Sequence, residues 1–483
     1  MEYGLIGNPL GHSFSKPIHE ALGGYAYQLC PLEPEALPGF LQRRDFLGVN
    51  VTIPYKAAVI PYLDQVDPMA KAIGAVNTIV NRGGRLIGYN TDYLGFLHLA
   101  RAAGVDFAGK NLLILGSGGT SHTAQAAARE LGAAEIAVIS RHGPDNYGNL
   151  SRHADAQVLI NTTPVGMYPD CGLSPVSLDA FPRLEGVLDV VFNPLRTALL
   201  LQAMDRGLPC SCGLPMLVAQ ARRAAELFTG TAIPSSRAEE VLSSLSSELE
   251  NIVLIGMPGC GKTTVGRALA ERLGRAFVDL DEEIVRRAGR PIPDIFAREG
   301  EDAFRALETR AVREAGSRTG LVISTGGGVV TRKENRDPLR QNGVIVHLTR
   351  PLAALPTGGR PVSQSTDLAV LWQRRAPLYA AFADLTADNW KDALAPDDVK
   401  FVKMGSETFT NQRFDQLVKG DAYEYKIDGT YVVDTYPSEI RVGVNPDDNV
   451  INVLYVPDSA NLPDDIEVPT DTTPPSDATQ PDD

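Results

Sequence analysis

The sequence lacks the features of a membrane protein and of a secreted protein. No run of apolar residues approaches the roughly 20 that a membrane-spanning helix needs. The opening residues, MEYGLIGNPLGHS, contain neither a basic region nor an apolar core, so we expect no signal peptide. The only five cysteines, at positions 30, 171, 210, 212 and 260, form no zinc-binding or redox spacing. We therefore expect a cytoplasmic protein with no membrane partner.

The chain also has fewer basic residues than acidic ones. The chain carries 59 acidic and 45 basic residues, a net charge of −14. A nucleic-acid-binding protein needs a basic surface, so we expect no nucleic-acid partner. The stretch 462–483 contains seven acidic residues and no basic one, which is half of the net charge. The rest of the chain is only mildly acidic.

The length and the pattern of apolar residues predict several α/β domains. A chain of 483 residues is too long for one ordinary hydrophobic core. Short apolar runs alternate with amphipathic stretches up to about residue 250, which is typical of βαβ units. SRAEEVLSSLSSELE contains a capping-box pair, Ser236 and Glu239, that predicts the start of a closing helix. A second alternating run extends from Asn251 to about Asn389.

The C-terminal part has a different composition. YEYKIDGTYVVDTYPSEIRVGV and NVINVLYVPD are rich in β-formers and contain Asp-Gly and Asp-Asp turn signals. We expect a β-rich module over 398–457. The Pro-, Thr- and Asp-rich stretch 458–483 is predicted to be disordered.

A glycine-rich loop, LILGSGGTS, lies between a predicted strand and a predicted helix. Such a loop directs backbone N–H groups and a helix N-terminus at a pyrophosphate. At the end of the next strand stand Ser140, Arg141 and His142, where an NAD-binding site would place an acid. Arg141 suits a ribose 2′-phosphate, which favours NADP. The alternative is an ordinary surface arginine.

Three polar clusters precede this loop within apolar surroundings. They supply the neutral hydroxyl and amide groups that a small polyhydroxylated acid would need. Reducing a ketone also requires a proton donor, and Lys56 oriented by Asp92 could serve. Read singly, a lysine after a Pro-Tyr turn is a solvated charge and Asn-Thr-Asp is a turn or cap. The clusters comprise Ser13 and Ser15; Asn50, Thr52 and Lys56; and Asn77, Asn90 and Asp92.

A second phosphate loop, GMPGCGKT, occupies Gly256–Thr263. Its Lys262 would reach the β- and γ-phosphates of a nucleotide, and the Thr263 hydroxyl would help hold Mg²⁺. FVDLDEEI predicts Asp279 and Asp281 at alternate positions of a strand end, one for the metal and one for the acceptor. DAFRALE, STGGGVV, GRPVS and QRRAPLY follow. The arginines of DAFRALE, GRPVS and QRRAPLY suit a carboxylate and a phosphoryl group, although any single one could form a surface ion pair.

The first half resembles the shikimate dehydrogenases along its whole length. The matching motifs are GHSFSKPIH, GVNVTIPYK, GAVNTIV, GYNTDYLGF, GSGGTS, NTTPVGMYP, DVVFNPLRT and GLPMLVAQA. The resemblance implies Lys56 and Asp92 as the catalytic pair. For the substrate it implies Ser13, Ser15, Thr52, Asn77, Asp92, Phe192 and Gln220. For NADP it implies Gly116, Ser117, Gly118, Gly119, Thr120, Ser121, Ser140, Arg141 and Gly213. The family usually has a tyrosine at position 192, so Phe192 predicts weaker substrate binding.

The stretch from Asn251 to about Asn389 resembles the shikimate kinases. The resemblance implies that ATP is bound by Gly259, Cys260, Gly261, Lys262, Thr263, Thr264 and Arg360, the last on a mobile lid. It implies Thr263 and Asp279 for Mg²⁺. For shikimate it implies Asp281, Arg305, Gly326, Gly327, Gly328 and Arg375. The first half would then make shikimate from 3-dehydroshikimate, and the second half would phosphorylate it.

The resemblances imply an α/β fold with the following domains. A substrate-binding domain spans 1–100 and is completed by 213–249, a Rossmann NADP domain spans 101–212, and a P-loop kinase domain spans 250–390. The β-rich module weakly resembles repeats of Gram-positive surface proteins, and its partner is unknown. Its origin has three readings: an interaction module, a replacement for the closing kinase helix, or a mis-joined coding sequence. Two functional alternatives stay open: an NAD-dependent quinate/shikimate dehydrogenase, and a kinase half reduced to nucleotide binding.

Overall fold

The computed structural model describes residues 1–10, 13–355 and 367–389, with four later strands. The chain divides into two units, Met1–Leu385 and Thr386–Asp483. The first unit contains three sheets, each of which includes parallel strand pairs. Apolar side chains of these strands are buried against helices, which is how parallel sheets are stabilised.

The first sheet is mixed and has the strand order β2-β1-β3-β5-β6-β4. β3 and β5 are antiparallel, as are β5 and β6, whereas the other neighbours are parallel. Its strands are β1 Tyr3–Gly7, β2 Gln28–Pro31, β3 Gly48–Val51, β4 Gln65–Val66, β5 Thr78–Arg82 and β6 Arg85–Tyr89. The helices of this part are α1 Ser15–Gly23, α2 Leu37–Arg43, α3 Pro68–Ile73 and α4 Thr91–Ala102.

The second sheet is wholly parallel, with the order β11-β10-β9-β7-β8. Its strands are β7 Asn111–Leu115, β8 Glu135–Ile139, β9 Val158–Asn161, β10 Gly186–Asp189 and β11 Cys210–Ser211. Its helices are α5 Gly119–Glu130 and α6 Ala198–Asp205. The chain then returns to the first sheet through α7 Leu214–Thr229, which packs against α4 and α1. α8 Ser235–Leu249 packs against α7 and α1.

The third sheet begins directly after α8, because Glu250 is already extended and β12 starts at the next residue. Its parallel strands lie in the order β13-β14-β12-β15, where β12 is Asn251–Ile255, β13 Ala276–Asp279, β14 Leu321–Ser324 and β15 Gly343–Thr349. The helices are α9 Lys262–Leu273, α10 Leu280–Ala288, α11 Ile292–Gly316, α12 Arg336–Arg340 and α13 Leu368–Phe382. β16, Leu385–Asp388, starts at the boundary of the first unit.

In the second unit the described residues form two antiparallel ladders, β17 with β19 and β18 with β20. These strands are β17 Leu417–Lys419, β18 Thr430–Thr435, β19 Glu439–Arg441 and β20 Val453–Pro457. The predicted disordered tail, 458–483, lies outside the described residues.

Two local predictions are wrong. The capping box at Ser236 does not form, because α8 starts at Ser235 after the extended Pro234, so Ser236 is already inside the first turn. Asp281 is not on a strand. The Asp279 carboxylate accepts hydrogen bonds from the N–H groups of Asp281 and Glu282, and this cap ends β13 and starts α10.

Two candidate active sites

The first site is built around an ion pair between Lys56 and Asp92. The Lys56 Nζ atom lies 2.6 Å from Asp92 Oδ2, and the two side chains are 22% and 13% exposed. Asp92 lies in the first turn of α4, where Asn90 caps the helix by accepting from the Tyr93 N–H. The helix N-terminus favours the negative charge of Asp92, which in turn holds the lysine ammonium group in place.

Two buried amides lie beside this pair on different elements. Asn77 Nδ2 donates to Thr91 Oγ1 at 3.0 Å and to Gln220 Oε1 at 3.4 Å. The Thr91 N–H donates to Asn77 Oδ1 at 2.7 Å. These bonds fix the orientation of the Asn77 amide. They also bring Gln220, on α7, to the start of α4, although 143 residues separate it from Asn77.

Three of the predicted substrate residues lie on loops, namely Ser13, Thr52 and Phe192, whereas Ser15 is the first residue of α1. The Ser15 N–H donates to Ser13 Oγ at 3.2 Å. Between them, the Phe14 ring meets the Phe192 ring edge-on, with the centroids 5.8 Å apart. Thr52 follows β3 and is anchored by its N–H, which donates to Ile6 O at 3.0 Å.

Sequence reasoning missed Thr91 and Tyr27. Thr91 donates to Gln220 Oε1 at 3.3 Å and stands in the GYNTD motif, so its position beside Asp92 was the available signal. The Tyr27 hydroxyl donates to Asn50 Oδ1 at 2.7 Å, and Asn50 Nδ2 donates to Thr78 Oγ1 at 3.0 Å. No local pattern indicates Tyr27, because its partner is 23 residues away.

The first glycine loop leaves room for a bound phosphate group. It connects β7 to α5, and Gly116 has a φ of +103°, which favours glycine. A Cβ atom added at Gly118 or Gly119 would meet no heavy atom within 4 Å, so the backbone is open there. Ser117 is exposed, Thr120 is half-buried and Ser121 is buried at the start of α5. The loop therefore fits a dinucleotide pyrophosphate.

Ser140 and Arg141 lie at the same edge of the sheet as this loop. β7 and β8 are adjacent, with Leu115 opposite Ile139, and the Gly116 N–H donates to Ile139 O at 2.8 Å. Arg141 is exposed two residues beyond the last residue of this register, Ile139. Gly213 approaches the backbone of the neighbouring strand end so closely that an added Cβ would lie 2.0 Å from Val190 O.

The second site starts at the phosphate loop between β12 and α9. Gly256, Gly259 and Gly261 have φ values of +144°, +85° and +98°. Lys262 is buried, and its Nζ donates to the carbonyls of Gly256 at 2.9 Å and Met257 at 3.1 Å. Cys260 is buried within the loop, and Thr264 is exposed on the first turn of α9.

Thr263 and Asp279 offer two oxygens at one point. Thr263 Oγ1 donates to Asp279 Oδ2 at 2.8 Å. A hydroxyl and a carboxylate oxygen are ligands that Mg²⁺ prefers, so the residues present fit that ion. Among the described residues no cluster of three or more His, Cys, Asp and Glu side chains could hold a metal by itself. A Mg²⁺ ion here would therefore depend on nucleotide oxygens or water for its remaining ligands.

A cavity of about 610 Å³ joins the phosphate loop to the predicted acceptor residues. Arg305 Nη1 donates to Glu308 Oε2 at 2.7 Å, as their spacing predicts. Arg375 Nη1 and the Tyr379 hydroxyl donate to Gly327 O at 3.0 and 2.5 Å. Sequence reasoning missed Tyr379, whose signal was its place in QRRAPLY. The predicted residues that line the cavity are Gly259, Gly261, Lys262, Thr263, Thr264, Asp279, Asp281, Arg305, Gly326, Gly327, Gly328 and Arg375.

The three consecutive glycines 326–328, here called the glycine turn, are packed against these charged groups. An added Cβ would lie 2.7 Å from Glu308 Oε1 at Gly326 and 2.3 Å from Arg305 Nη1 at Gly328. Burial raises the pKa of Asp281 to about 6, and the charges of Asp279 and Glu308 add to the shift. Burial also raises the pKa of Glu308, against the attraction of Arg305. The predicted lid residue Arg360 lies outside the described residues.

No helix in the part of the chain that the structure describes has the length and apolar character to span a membrane.

These arrangements define two classes of enzyme site: a dinucleotide-dependent oxidoreductase and a P-loop kinase. Family models match over residues 5–79, "Shikimate dehydrogenase substrate binding domain", and over residues 258–401, "Shikimate kinase". The chain belongs to the shikimate dehydrogenase family and also carries a shikimate kinase domain. The kinase match extends beyond residue 390, where the sequence placed the end of that domain.

Curated relatives match half of this chain. The shikimate dehydrogenase (NADP(+)) of Clostridium perfringens is 37% identical over 265 residues, which cover 50% of this chain and 97% of the relative. That of Thermus thermophilus is 38% identical over 257 residues, with the same coverage. Among solved structures, shikimate dehydrogenase 1 of Peptoclostridium difficile is 36% identical, covers 51% of this chain and 98% of its own, and has a TM-score of 0.47.

Asp281 should lower the stability of the chain at neutral pH. Its pKa in the folded protein, about 6, is above its ordinary value of 3.8. The ionised form is therefore disfavoured by folding, and the cost appears as the pH rises from about 4 through 6. We expect Asp281→Asn to raise the free energy of unfolding by about 1–3 kcal/mol at pH 8. The gain should shrink toward zero near pH 4, as measured by urea denaturation across this range.

The control is Asp302→Asn, because the Asp302 side chain is fully exposed. This substitution should change the stability by less than about 0.5 kcal/mol at any pH. An Asp281→Asn gain that is independent of pH would contradict the explanation by ionisation.

Proposed function

We propose that the first half reduces 3-dehydroshikimate to shikimate with NADPH and that the second half phosphorylates shikimate with ATP to shikimate 3-phosphate. The observation that carries the proposal is that one chain matches two family models whose descriptions name the same compound. The sites would then catalyse successive steps of the chorismate pathway in the cytoplasm.

In the first half, Lys56 would deliver a proton to the ketone oxygen as it becomes an alkoxide. The carboxylate of Asp92, 2.6 Å away, directs the lysine ammonium group. The bound NADPH would supply the hydride. The fixed amides of Asn77 and Gln220 would orient the substrate. The hydroxyls of Ser13 and Thr52 on loops, and of Ser15 at the start of α1, would assist them.

In the second half, Arg305 and Arg375 would bind the shikimate carboxylate, since guanidinium groups pair with carboxylates in a bidentate manner. Asp281 lines the same cavity and would accept the proton of the attacking hydroxyl when it is ionised, above about pH 6. ATP would supply the phosphoryl group. Lys262 would neutralise its β- and γ-phosphates, and Thr263 with Asp279 would hold Mg²⁺.

Two single substitutions test the two halves independently. Lys56→Met should lower kcat of dehydroshikimate reduction by about 100-fold or more and leave phosphorylation of added shikimate unchanged. Lys262→Met should abolish phosphorylation and leave the reduction unchanged. Separate assays of the full chain measure both activities. If the unmodified chain reduces 3-dehydroshikimate but does not phosphorylate shikimate, the kinase half only binds nucleotides, and the second part of the proposal is wrong.

Arg141 should determine the choice of cofactor. A charge-assisted contact with the 2′-phosphate is present with NADPH and absent with NADH. We expect Arg141→Ala to lower kcat/KM for NADPH by about 10- to 100-fold and to leave that for NADH unchanged. Initial rates with both cofactors at equal concentration measure this. If the unmodified chain prefers NADH, the NAD-dependent alternative is correct and Arg141 is an ordinary surface residue.

Phe192 should limit the affinity for the substrate. Phe192→Tyr restores a hydroxyl, which we expect to lower KM for 3-dehydroshikimate by about 2- to 10-fold, as one added neutral hydrogen bond would. KM for NADPH should not change. Phe192→Leu is the control, because it alters the ring contact with Phe14 without adding a hydroxyl. A tyrosine variant with an unchanged or higher KM would contradict the prediction.

A further inference from the structure

A loop of the dehydrogenase half connects its site to the kinase half. This connecting loop, 192–196, follows the carboxyl end of β10. At one end, the Phe192 ring contacts Phe14, which lies between Ser13 and Ser15. Leu195 packs in the same apolar cluster as these two rings. A displacement of Leu195 would therefore reach the segment 13–15, which carries the two serines.

The other end of the connecting loop is held by the segment 340–343 of the kinase half. The Leu195 N–H donates to Asn342 Oδ1 at 2.9 Å, and the Arg196 N–H donates to Gln341 O at 2.8 Å. The Arg196 guanidinium group donates to Arg340 O at 2.9 Å and pairs with Glu250. The bonds to segment 340–343 span 144 residues or more of sequence.

Asn342 can hold the loop because its own orientation is fixed. Its side chain is fully buried. Its Nδ2 atom donates to Gly316 O at 3.2 Å and to Ser317 O at 3.4 Å, so only its Oδ1 atom can face the Leu195 N–H. Its carbonyl accepts from the Asn251 N–H at 2.7 Å, at the start of β12. The kinase fold therefore sets the position of the acceptor atom.

We propose that Asn342 of the kinase half is a positioning residue for substrate binding in the dehydrogenase half. It acts through Leu195 on Phe192 and Phe14, and thereby on Ser13 and Ser15. The inference rests on the proposed dehydrogenase function. The curated dehydrogenase relatives are matched over 97% of their own length by half of this chain. The contact between Leu195 and Asn342 therefore requires that the two halves be joined.

Asn342 lies far from the kinase site. Asn342 precedes β15 and Asn251 is the first residue of β12, so both lie at the amino edge of the kinase sheet. The phosphate loop and the glycine turn follow the carboxyl ends of β12 and β14, at the opposite edge. Loosening Asn342 should therefore change the dehydrogenase and leave the kinase unchanged.

The test compares three variants of the full chain. Asn342→Ala removes the acceptor, and Arg196→Ala releases the same loop without a change in the kinase fold. Arg336→Ala is the matched control. It breaks the ion pair of Arg336 with Asp205 of α6, which also joins the halves but lies outside segment 340–343. KM for 3-dehydroshikimate, KM for NADPH, both kcat values and the thermal transition are measured for each.

We expect Asn342→Ala and Arg196→Ala each to raise KM for 3-dehydroshikimate about 3- to 10-fold, the effect of one lost hydrogen bond. KM for NADPH and the kinase parameters should stay unchanged. In the double variant, the rise in KM for 3-dehydroshikimate should be smaller than the product of the two single fold-changes. Arg336→Ala should leave every constant unchanged. If Asn342→Ala loses its kinase activity and its cooperative transition, it has unfolded, and Arg196→Ala decides.

Two results overturn the inference. One is an unchanged KM for 3-dehydroshikimate in Arg196→Ala and in folded Asn342→Ala. The other is a general loosening of the interface, seen as an equal rise in KM for 3-dehydroshikimate with Arg336→Ala or an equal rise in KM for NADPH. An unmodified chain without dehydrogenase activity would instead refute the proposed function, so the two failures are distinguishable.

Discussion

The arrangement of the two halves depends on a pair of buried asparagines at the start of the kinase sheet. Asn251 and Asn342 are both fully buried, and the Asn251 N–H donates to Asn342 O. The Asn251 side chain donates to Arg318 O at 2.7 Å and accepts from the Leu321 N–H at 2.8 Å. Buried backbone groups must be paired, and these amides pair the ones that the strand starts leave open. Because only Glu250 separates the end of α8 from Asn251, the same network also fixes where the dehydrogenase half ends.

This junction joins unlike edges of the two halves. The kinase sheet presents its amino edge, away from the phosphate loop, whereas the dehydrogenase half presents a loop that follows a carboxyl strand end. In parallel α/β sheets the ligand sites lie at the carboxyl ends. The contact therefore leaves the kinase cavity free of the interface but reaches a segment next to the dehydrogenase site. We infer that a fusion of this kind makes one active site depend on the fold of the other domain.

The sequence predicts the local parts of both sites because their chemistry requires particular backbones. The two phosphate loops need glycine at positive φ, and Lys262 with Thr263 follows from the loop pattern. The sequence predicts Asp279 at the end of a strand, where it lies, but not its role as a helix cap, because capping competes with strand extension. Ser236 failed as a cap because Pro234 determines where α8 begins. Gln220 was identified only through the family resemblance. The bond from Leu195 to Asn342 joins residues 147 apart, and no local pattern indicates it.

The central claim is that one chain performs two successive reactions on the same carbon skeleton. The most direct measurement incubates the purified full chain with 3-dehydroshikimate, NADPH, ATP and Mg²⁺ and identifies the products by mass spectrometry. We expect shikimate 3-phosphate, with NADPH and ATP consumed in equal amounts. Accumulation of shikimate without its phosphate, or no conversion of 3-dehydroshikimate, would contradict the claim.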